Sequence, residues 1–127
     1  MTIVHIVIAL ALIQFFIFGG LVGRARVKYQ IEAPAITGHP VFERYYRVHY
    51  NTMEMLVTFV PSIWLFGLYV SPQWAAAIGA VYLIGRIVYL RGYVADPRKR
   101  EIGFGLSALP IVVLLVGSLW GALRVML

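Results

Sequence analysis

Residues 3–23 read IVHIVIALALIQFFIFGGLVG, an apolar run of 21 residues without a formal charge. At 1.5 Å per residue, an α-helix of this length would span about 32 Å, roughly the thickness of the hydrocarbon core of a bilayer. The run lacks the basic start, the shorter apolar core and the small-residue cleavage site of a signal peptide. We therefore expect it to be retained as a first transmembrane helix.

Three further apolar segments follow, at 45–70, 74–90 and 102–123. The chain of 127 residues is 61% hydrophobic and 13% charged, whereas soluble domains are about one quarter charged. Four membrane crossings leave no room for a separate soluble domain. The sequence therefore predicts an all-α membrane protein, a bundle of four transmembrane helices that forms a single domain over residues 1–127.

Basic residues collect in two of the three predicted connections. The connections 24–43 and 93–101 are basic, whereas 70–73 carries no charge. The positive-inside rule predicts that loops one and three are cytoplasmic, in a bacterial inner membrane or the endoplasmic reticulum. The formal net charge of +6 favours anionic lipid or an anionic small molecule as a partner. Nucleic acid is excluded, because binding it needs a solvated basic face and this chain is mostly apolar.

One face of the second helix is polar in an otherwise apolar segment. Its residues follow at spacings of four, three and four, and are Arg47, Asn51, Glu54 and Thr58. The third helix repeats these spacings with Tyr82, Arg86, Tyr89 and Tyr93. An ionised side chain at the centre of a membrane helix costs about 2.5 to 3.5 kcal/mol, so such faces need a partner. That partner is either an internal ion-pair network of Glu54 with Arg47 or Arg86, or an anionic ligand, which the excess of arginine favours.

The segment 42–54, FERYYRVHYNTME, resembles the signature E-R-x-x-R-x-x-x-N-x-x-E of the membrane-associated proteins in eicosanoid and glutathione metabolism, the MAPEG family. A second block, GRIVYLRGY at 85–93 followed by DPRKREIG at 96–103, is similar to the third helix and following loop of the microsomal glutathione transferases in that family. The resemblance covers the whole chain. It implies a homotrimer that binds glutathione between helices of adjacent subunits, near the cytoplasmic face.

The resemblance also implies which residues contact glutathione. Those on the second and third helices are Arg47, Asn51, Glu54, Arg86, Tyr89 and Tyr93, and Arg26 matches a basic position at the end of the first helix. Arg100 resembles the arginine that faces the glutathione sulfur, and Arg98, two residues earlier, competes for that role. His49, inside the signature, is a further possible contact. We expect no metal site, because the chain has no cysteine and its histidines form no ligand cluster.

These side chains suit the chemistry of glutathione as a co-substrate. Arginines bind carboxylates through paired hydrogen bonds, Glu54 can hold the ammonium group, and Asn51 can bond the amides. A free thiol has a pKa near 8.5, and lowering it by about two units takes roughly 2.7 kcal/mol, which the guanidinium of Arg100 can supply. Leukotriene-forming members carry an arginine pair where this chain has Arg26-Val27, and a tyrosine where it has Met55. We therefore predict a glutathione transferase that conjugates apolar electrophiles or reduces lipid hydroperoxides entering from the membrane.

Two other functions stay open from the sequence. A non-catalytic, lipid-binding member of the family would lose the arginine that activates the thiol. A small transporter of anions or drugs would carry charge near the bilayer midplane and not only at one face. The basic loop with Arg98 and Arg100, and the position of Glu54 toward the cytoplasmic end of its helix, favour the enzyme.

Overall fold

The computed structural model describes all 127 residues and contains four long α-helices and no strand. The helices are α1 (Thr2–Tyr29), α2 (Pro40–Tyr69), α3 (Pro72–Ala95) and α4 (Arg100–Met126), with a 3₁₀ turn at Pro97–Lys99. Each long helix is apolar and long enough to cross a membrane. The predicted all-α architecture of four transmembrane helices is confirmed.

The helices are longer than predicted at the basic end of the bundle. The predicted start of loop one at Arg24 is wrong, because α1 continues to Tyr29 and the connection covers only residues 30–39. Arginine and lysine are good helix formers, and their positive charge is favourable near a helix C-terminus. The helix ends where Gln30 adopts a left-handed conformation with φ of 57°. Helix α3 also extends past the predicted start of loop three at residue 93, to Ala95.

Side chains in the connections fix where α2 and α3 begin. The backbone N–H of Val41 donates to Nδ1 of His39 at 3.1 Å, so His39, which the sequence left without a role, caps α2. The N–H of Trp74 donates to Oγ of Ser71 at 3.2 Å and caps α3. A proline follows each cap at the first helical position, where its missing N–H costs nothing.

Helices α2 and α3 form the centre of the bundle, and α1 and α4 each pack against both. The core contains the stacked rings of Phe59 and Tyr82, whose centroids are 3.8 Å apart. Glycines allow α3 and α4 to approach closely: a Cβ at Gly85 would lie 2.6 Å from the carbonyl carbon of Leu106, and one at Gly103 would collide with the backbone of Tyr89. This close crossing brings α4 within reach of polar side chains on α3.

Two connections lie at one end of the bundle and the chain termini at the other. Arg44 Nη1 donates to the carbonyl oxygens of Val94 at 3.0 Å and Ala95 at 3.4 Å, which joins the start of α2 to the end of α3. At the opposite end Met1 packs beside Gly67. Large apolar side chains cover the exterior of all four helices. The chain is an integral, multi-pass membrane protein with loops one and three at the same end.

Candidate functional site

The polar face of α2 lies on the surface of the chain. Arg47 and Glu54 are exposed and Asn51 is half-buried. Neither Arg47 nor Glu54 makes a side-chain hydrogen bond. Neither forms an ion pair, since the only ion pair in the chain joins Arg98 to Asp96. The internal network of Glu54 with Arg47 or Arg86 therefore does not form. Two opposite charges on an apolar helix are left free for another partner.

Two grooves follow this face, one after the other. The groove nearer the loops has a volume of about 250 Å³ and is bounded by Arg47 and by Tyr93 at the end of α3. The second groove, about 320 Å³, is called the deeper groove because it lies further from the loops, toward the centre of the membrane. It runs between α2 and α4, where Asn51 and Glu54 face the apolar wall that starts at Phe104. The face is thus polar toward the loops and apolar toward the centre of the membrane, an arrangement suited to a polar ligand beside an apolar one.

Arg86 is fully buried beneath the deeper groove and connects three helices. Its Nε donates to Ser107 Oγ on α4 at 2.9 Å, and its Nη1 donates to Asn51 Oδ1 at 2.7 Å and Thr52 Oγ1 at 3.2 Å on α2. Its guanidinium carbon also lies 4.4 Å from the centroid of the Tyr89 ring. Because the oxygen of Asn51 is engaged by Arg86, the amide nitrogen of Asn51 is the group left to donate into the groove.

Tyr89 lies where α3 packs closely against α4. The side chain is 5% exposed and packs under α4. Its ring centroid lies 5.5 Å from that of Tyr93 and 6.5 Å from that of Phe104 on α4. The structure therefore brings most of the predicted contacts into one region.

Arg98 and Arg100 have different environments. Arg98 is almost fully exposed, and its Nε lies 3.5 Å from Oδ1 of Asp96. The backbone N–H of Arg98, together with nearby positive charge, lowers the pKa of Asp96, so this partner stays ionised. Arg100 is the first residue of α4, and its Nη1 donates to the carbonyl of Pro97 at 3.0 Å. Of the two, Arg100 belongs to α4, the helix that packs against Tyr89 through Gly103.

Two predicted contacts lie apart from these grooves. Nη1 of Arg26 donates to the carbonyl of Ala35 at 2.6 Å, and its guanidinium carbon is 4.9 Å from the ring centroid of Phe42. His49 stacks on Phe15 of α1, with ring centroids 4.5 Å apart. A role for either residue in glutathione binding stays a prediction, and within one chain neither lines the grooves described above.

The sequence missed the hydroxyl groups that support Arg86. Thr52 Oγ1 donates to the carbonyl of Val48 and Ser107 Oγ to that of Gly103, each at 2.7 Å, so both oxygens face Arg86 as acceptors. A lone Thr or Ser in a membrane helix most often bonds its own backbone, so spacing alone gave no signal for this role.

The comparison with known families decides the assignment, because the model described as MAPEG family matches residues 4–120. The chain belongs to the MAPEG family. An uncharacterized protein of Synechocystis is 46% identical over 114 residues, covering 90% of this chain and 83% of that protein. Human microsomal glutathione S-transferase 2 is 42% identical over 104 residues, 82% of this chain and 69% of that protein. Guinea-pig leukotriene C4 synthase is 35% identical over 100 residues, covering 79% of this chain and 67% of that protein.

In this MAPEG chain the signature segment divides into two parts. Its first charged residues serve the fold: Glu43 Oε2 accepts from the N–H of Gly38 at 3.2 Å, and Arg44 binds the carbonyls that end α3. Its later residues, Arg47, Asn51 and Glu54, line the grooves. Within the signature, the charges satisfied inside the chain hold the bundle together, and the charges without a partner line the candidate site.

Proposed function

We propose that this MAPEG protein is a membrane-embedded glutathione transferase whose site lies along the polar face of α2. The observation that carries the proposal is that Arg47 and Glu54 remain unpaired on an apolar helix, beside an Asn51 held in one orientation. Charged groups at membrane depth mark functional sites by default. The relatives named as microsomal glutathione S-transferase 2 and leukotriene C4 synthase support a glutathione-dependent enzyme.

In this proposal the ends and the amides of glutathione bind to different side chains. Arg47 binds a carboxylate through paired, charge-assisted hydrogen bonds, and Glu54 binds the ammonium group. The amide nitrogen of Asn51 donates to a carbonyl oxygen of the tripeptide. Arg86 holds Asn51 in place from below, and its own contact with glutathione stays a prediction. Binding needs no metal.

Arg100 stabilises the glutathione thiolate. A guanidinium cannot be deprotonated at working pH, so it lowers the pKa of the thiol without acting as the base, and the proton leaves to water. Its support is the position of Arg100 at the start of α4, in the segment whose Gly103 packs against the backbone of Tyr89. The hydroxyl of Tyr89 or Tyr93 is the alternative donor to sulfur.

The thiolate then attacks an apolar substrate held against the wall of α4. With a chloroaromatic electrophile a sulfur–carbon bond forms, the carbon–chlorine bond breaks, and chloride leaves with the electron pair. With a lipid hydroperoxide the oxygen–oxygen bond breaks, the alcohol leaves after taking a proton, and sulfur is oxidised to a sulfenic acid. A second glutathione reduces that acid to glutathione disulfide and water. The apolar residues Phe104, Ile111 and Val112 favour a substrate that enters from lipid.

The proposal includes a homotrimer with loops one and three in the cytoplasm. An unpaired polar face on a membrane helix is unfavourable against lipid, and a second copy of the chain would cover it. Arg26, which lies apart from the grooves of its own chain, would then approach the site of a neighbouring copy. The basic residues at the end of α1 (Arg24, Arg26 and Lys28) and in the connection 96–99 support this orientation.

The test uses the purified protein in detergent. Glutathione is added and the thiolate is followed by its ultraviolet absorbance, together with turnover of 1-chloro-2,4-dinitrobenzene and of a lipid hydroperoxide. We expect bound thiolate near neutral pH and turnover, both weakened in Asn51→Ala and kept in the control Gln73→Ala, in the first turn of α3 at the opposite end of the bundle. Binding without thiolate would identify a non-catalytic member. Glutathione-independent movement of anions across vesicles would identify a transporter.

A further inference from the structure

A second groove system lies on another face of the bundle and contains none of the residues assigned to glutathione. One groove, of about 160 Å³, lies between the end of α1 and the start of α2, and the next, of about 360 Å³, lies between α2 and the end of α3. Both are bounded by Leu21 and Tyr45, so they form one continuous surface, here named the basic groove. It sits at the end of the bundle that carries loops one and three.

The lining of the basic groove is positively charged and has no acidic residue. Its cations are Arg24 and Lys28 on α1 and Arg91 on α3, all exposed. Arg24 and Arg91 make no hydrogen bond or ion pair in the chain, and Lys28 only approaches the ring of Tyr29, at 5.4 Å from its centroid. Three unpaired cations along two adjoining grooves favour an anionic ligand.

Apolar side chains form the rest of the wall, and this decides which anion fits. Leu21 and Leu90 lie below the cations, and the helices continue toward the membrane centre with apolar outer surfaces. A free phosphate ion would contact only the charged rim, whereas a phospholipid would place its phosphate at the rim and its acyl chains along the apolar wall. The hydroxyl of Tyr45, at the junction of the two grooves, can donate to a phosphate oxygen.

We propose that the basic groove binds the headgroup of an anionic phospholipid from the leaflet that contacts loops one and three. Anionic lipid attracts basic residues at the membrane surface, and each contributes roughly a factor of five in affinity. Removing all three cations should therefore weaken the preference for anionic lipid by about a hundredfold. The site is independent of glutathione, so its occupation is measurable without any enzymatic activity.

The experiment measures lipid retained by the purified protein with native mass spectrometry. The protein is equilibrated with mixed micelles that contain equal amounts of phosphatidylglycerol and phosphatidylcholine. We expect selective retention of phosphatidylglycerol by the wild type and loss of this selectivity in the triple variant Arg24→Gln, Lys28→Gln, Arg91→Gln. The matched control is Arg124→Gln, which removes an exposed cation that stacks on Trp120 at the other end of the bundle. It should leave selectivity unchanged.

Three outcomes would overturn the proposal. Equal selectivity in the triple variant would place the lipid elsewhere. Displacement of phosphatidylglycerol by inorganic phosphate at similar concentration would mean that the groove binds the free anion. A change of oligomeric mass in the triple variant, with lipid retention intact, would mean that a second copy of the chain covers the groove. Unchanged glutathione binding in the triple variant would show that the protein is folded, which separates this test from that of the proposed enzyme.

Discussion

Replacing Arg86 with methionine separates its role as a support for Asn51 from a direct contact with glutathione. The change removes three hydrogen bonds, to Ser107, Thr52 and Asn51. The hydroxyls of Thr52 and Ser107 keep their bonds to backbone carbonyls, whereas Asn51 Oδ1 loses its only partner. The local consequence is an Asn51 amide that is free to rotate at the wall of the groove.

The magnitude follows from the one charge-assisted bond that orients the amide. Such a bond is worth about 1.5 to 3 kcal/mol, so Arg86→Met should weaken glutathione binding by roughly 10- to 150-fold. Stability should change much less, because the substitution also removes a buried cation whose Nη2 has no partner, and apolar replacements of buried charges are often nearly neutral. A structural role alone would lower stability and leave the affinity of the folded fraction unchanged.

A double-mutant cycle with Asn51→Ala decides between support and contact. Glutathione affinity is measured by isothermal titration calorimetry in detergent, and unfolding by circular dichroism. If Arg86 acts through Asn51, Arg86→Met should have almost no further effect once residue 51 is alanine. An equal loss of affinity in both backgrounds would mean that Arg86 touches glutathione itself and that the positioning argument is wrong.

Three further changes test the site and the fold. Arg100→Ala should raise the pH at which bound thiolate appears by up to about two units and leave glutathione affinity nearly intact, whereas Arg98→Ala should not change this pH. The reverse result would assign the role to Arg98. If neither change has an effect, a tyrosine hydroxyl is the donor to sulfur. Gly103→Ala should lower the free energy of unfolding by about 1 to 3 kcal/mol in denaturant titrations, because the new Cβ would collide with the backbone of α3. The control Gly105→Ala has open space around it and should leave stability unchanged. Equal stabilities of the two variants would refute the close crossing. Single cysteines at Gln73 and Lys99 should label from opposite sides of sealed vesicles, and labelling from the same side would contradict the topology.

The number and type of helices were predictable because the apolar segments are long and nearly free of charge. Their ends were not, since a rule that stops a membrane helix at its first charge fails where arginines lie in the last turns. Arg26 and Lys28 lie in the last turn of α1 and extend the helix instead of ending it, because a helix C-terminus favours positive charge. The caps at His39 and Ser71 depend on side-chain geometry that only the three-dimensional structure displays.

The two polar faces of the candidate site were predictable from the sequence, but the burial of each residue on them was not. Spacing places Arg47, Asn51 and Glu54 on one face of α2 and Arg86 on one face of α3. It cannot show that Arg86 is enclosed while Arg47 and Glu54 are exposed. That difference depends on the α3–α4 crossing at Gly85 and Gly103, which is a property of packing between helices and not of either helix alone.

The charges that remain unpaired indicate the charge of the ligand. Arg47 and the buried Arg86 contribute two positive charges and Glu54 one negative charge, which gives a net charge of +1 beside the grooves. Glutathione, with two carboxylates and one ammonium group, carries a net charge of −1 while its thiol is protonated. Ionisation of the thiol adds a second negative charge, at the stage where Arg100 is proposed to act. A net charge of +1 already balances glutathione with a protonated thiol, so the additional cation Arg100 at the start of α4 is the feature that favours a catalyst over a binding protein.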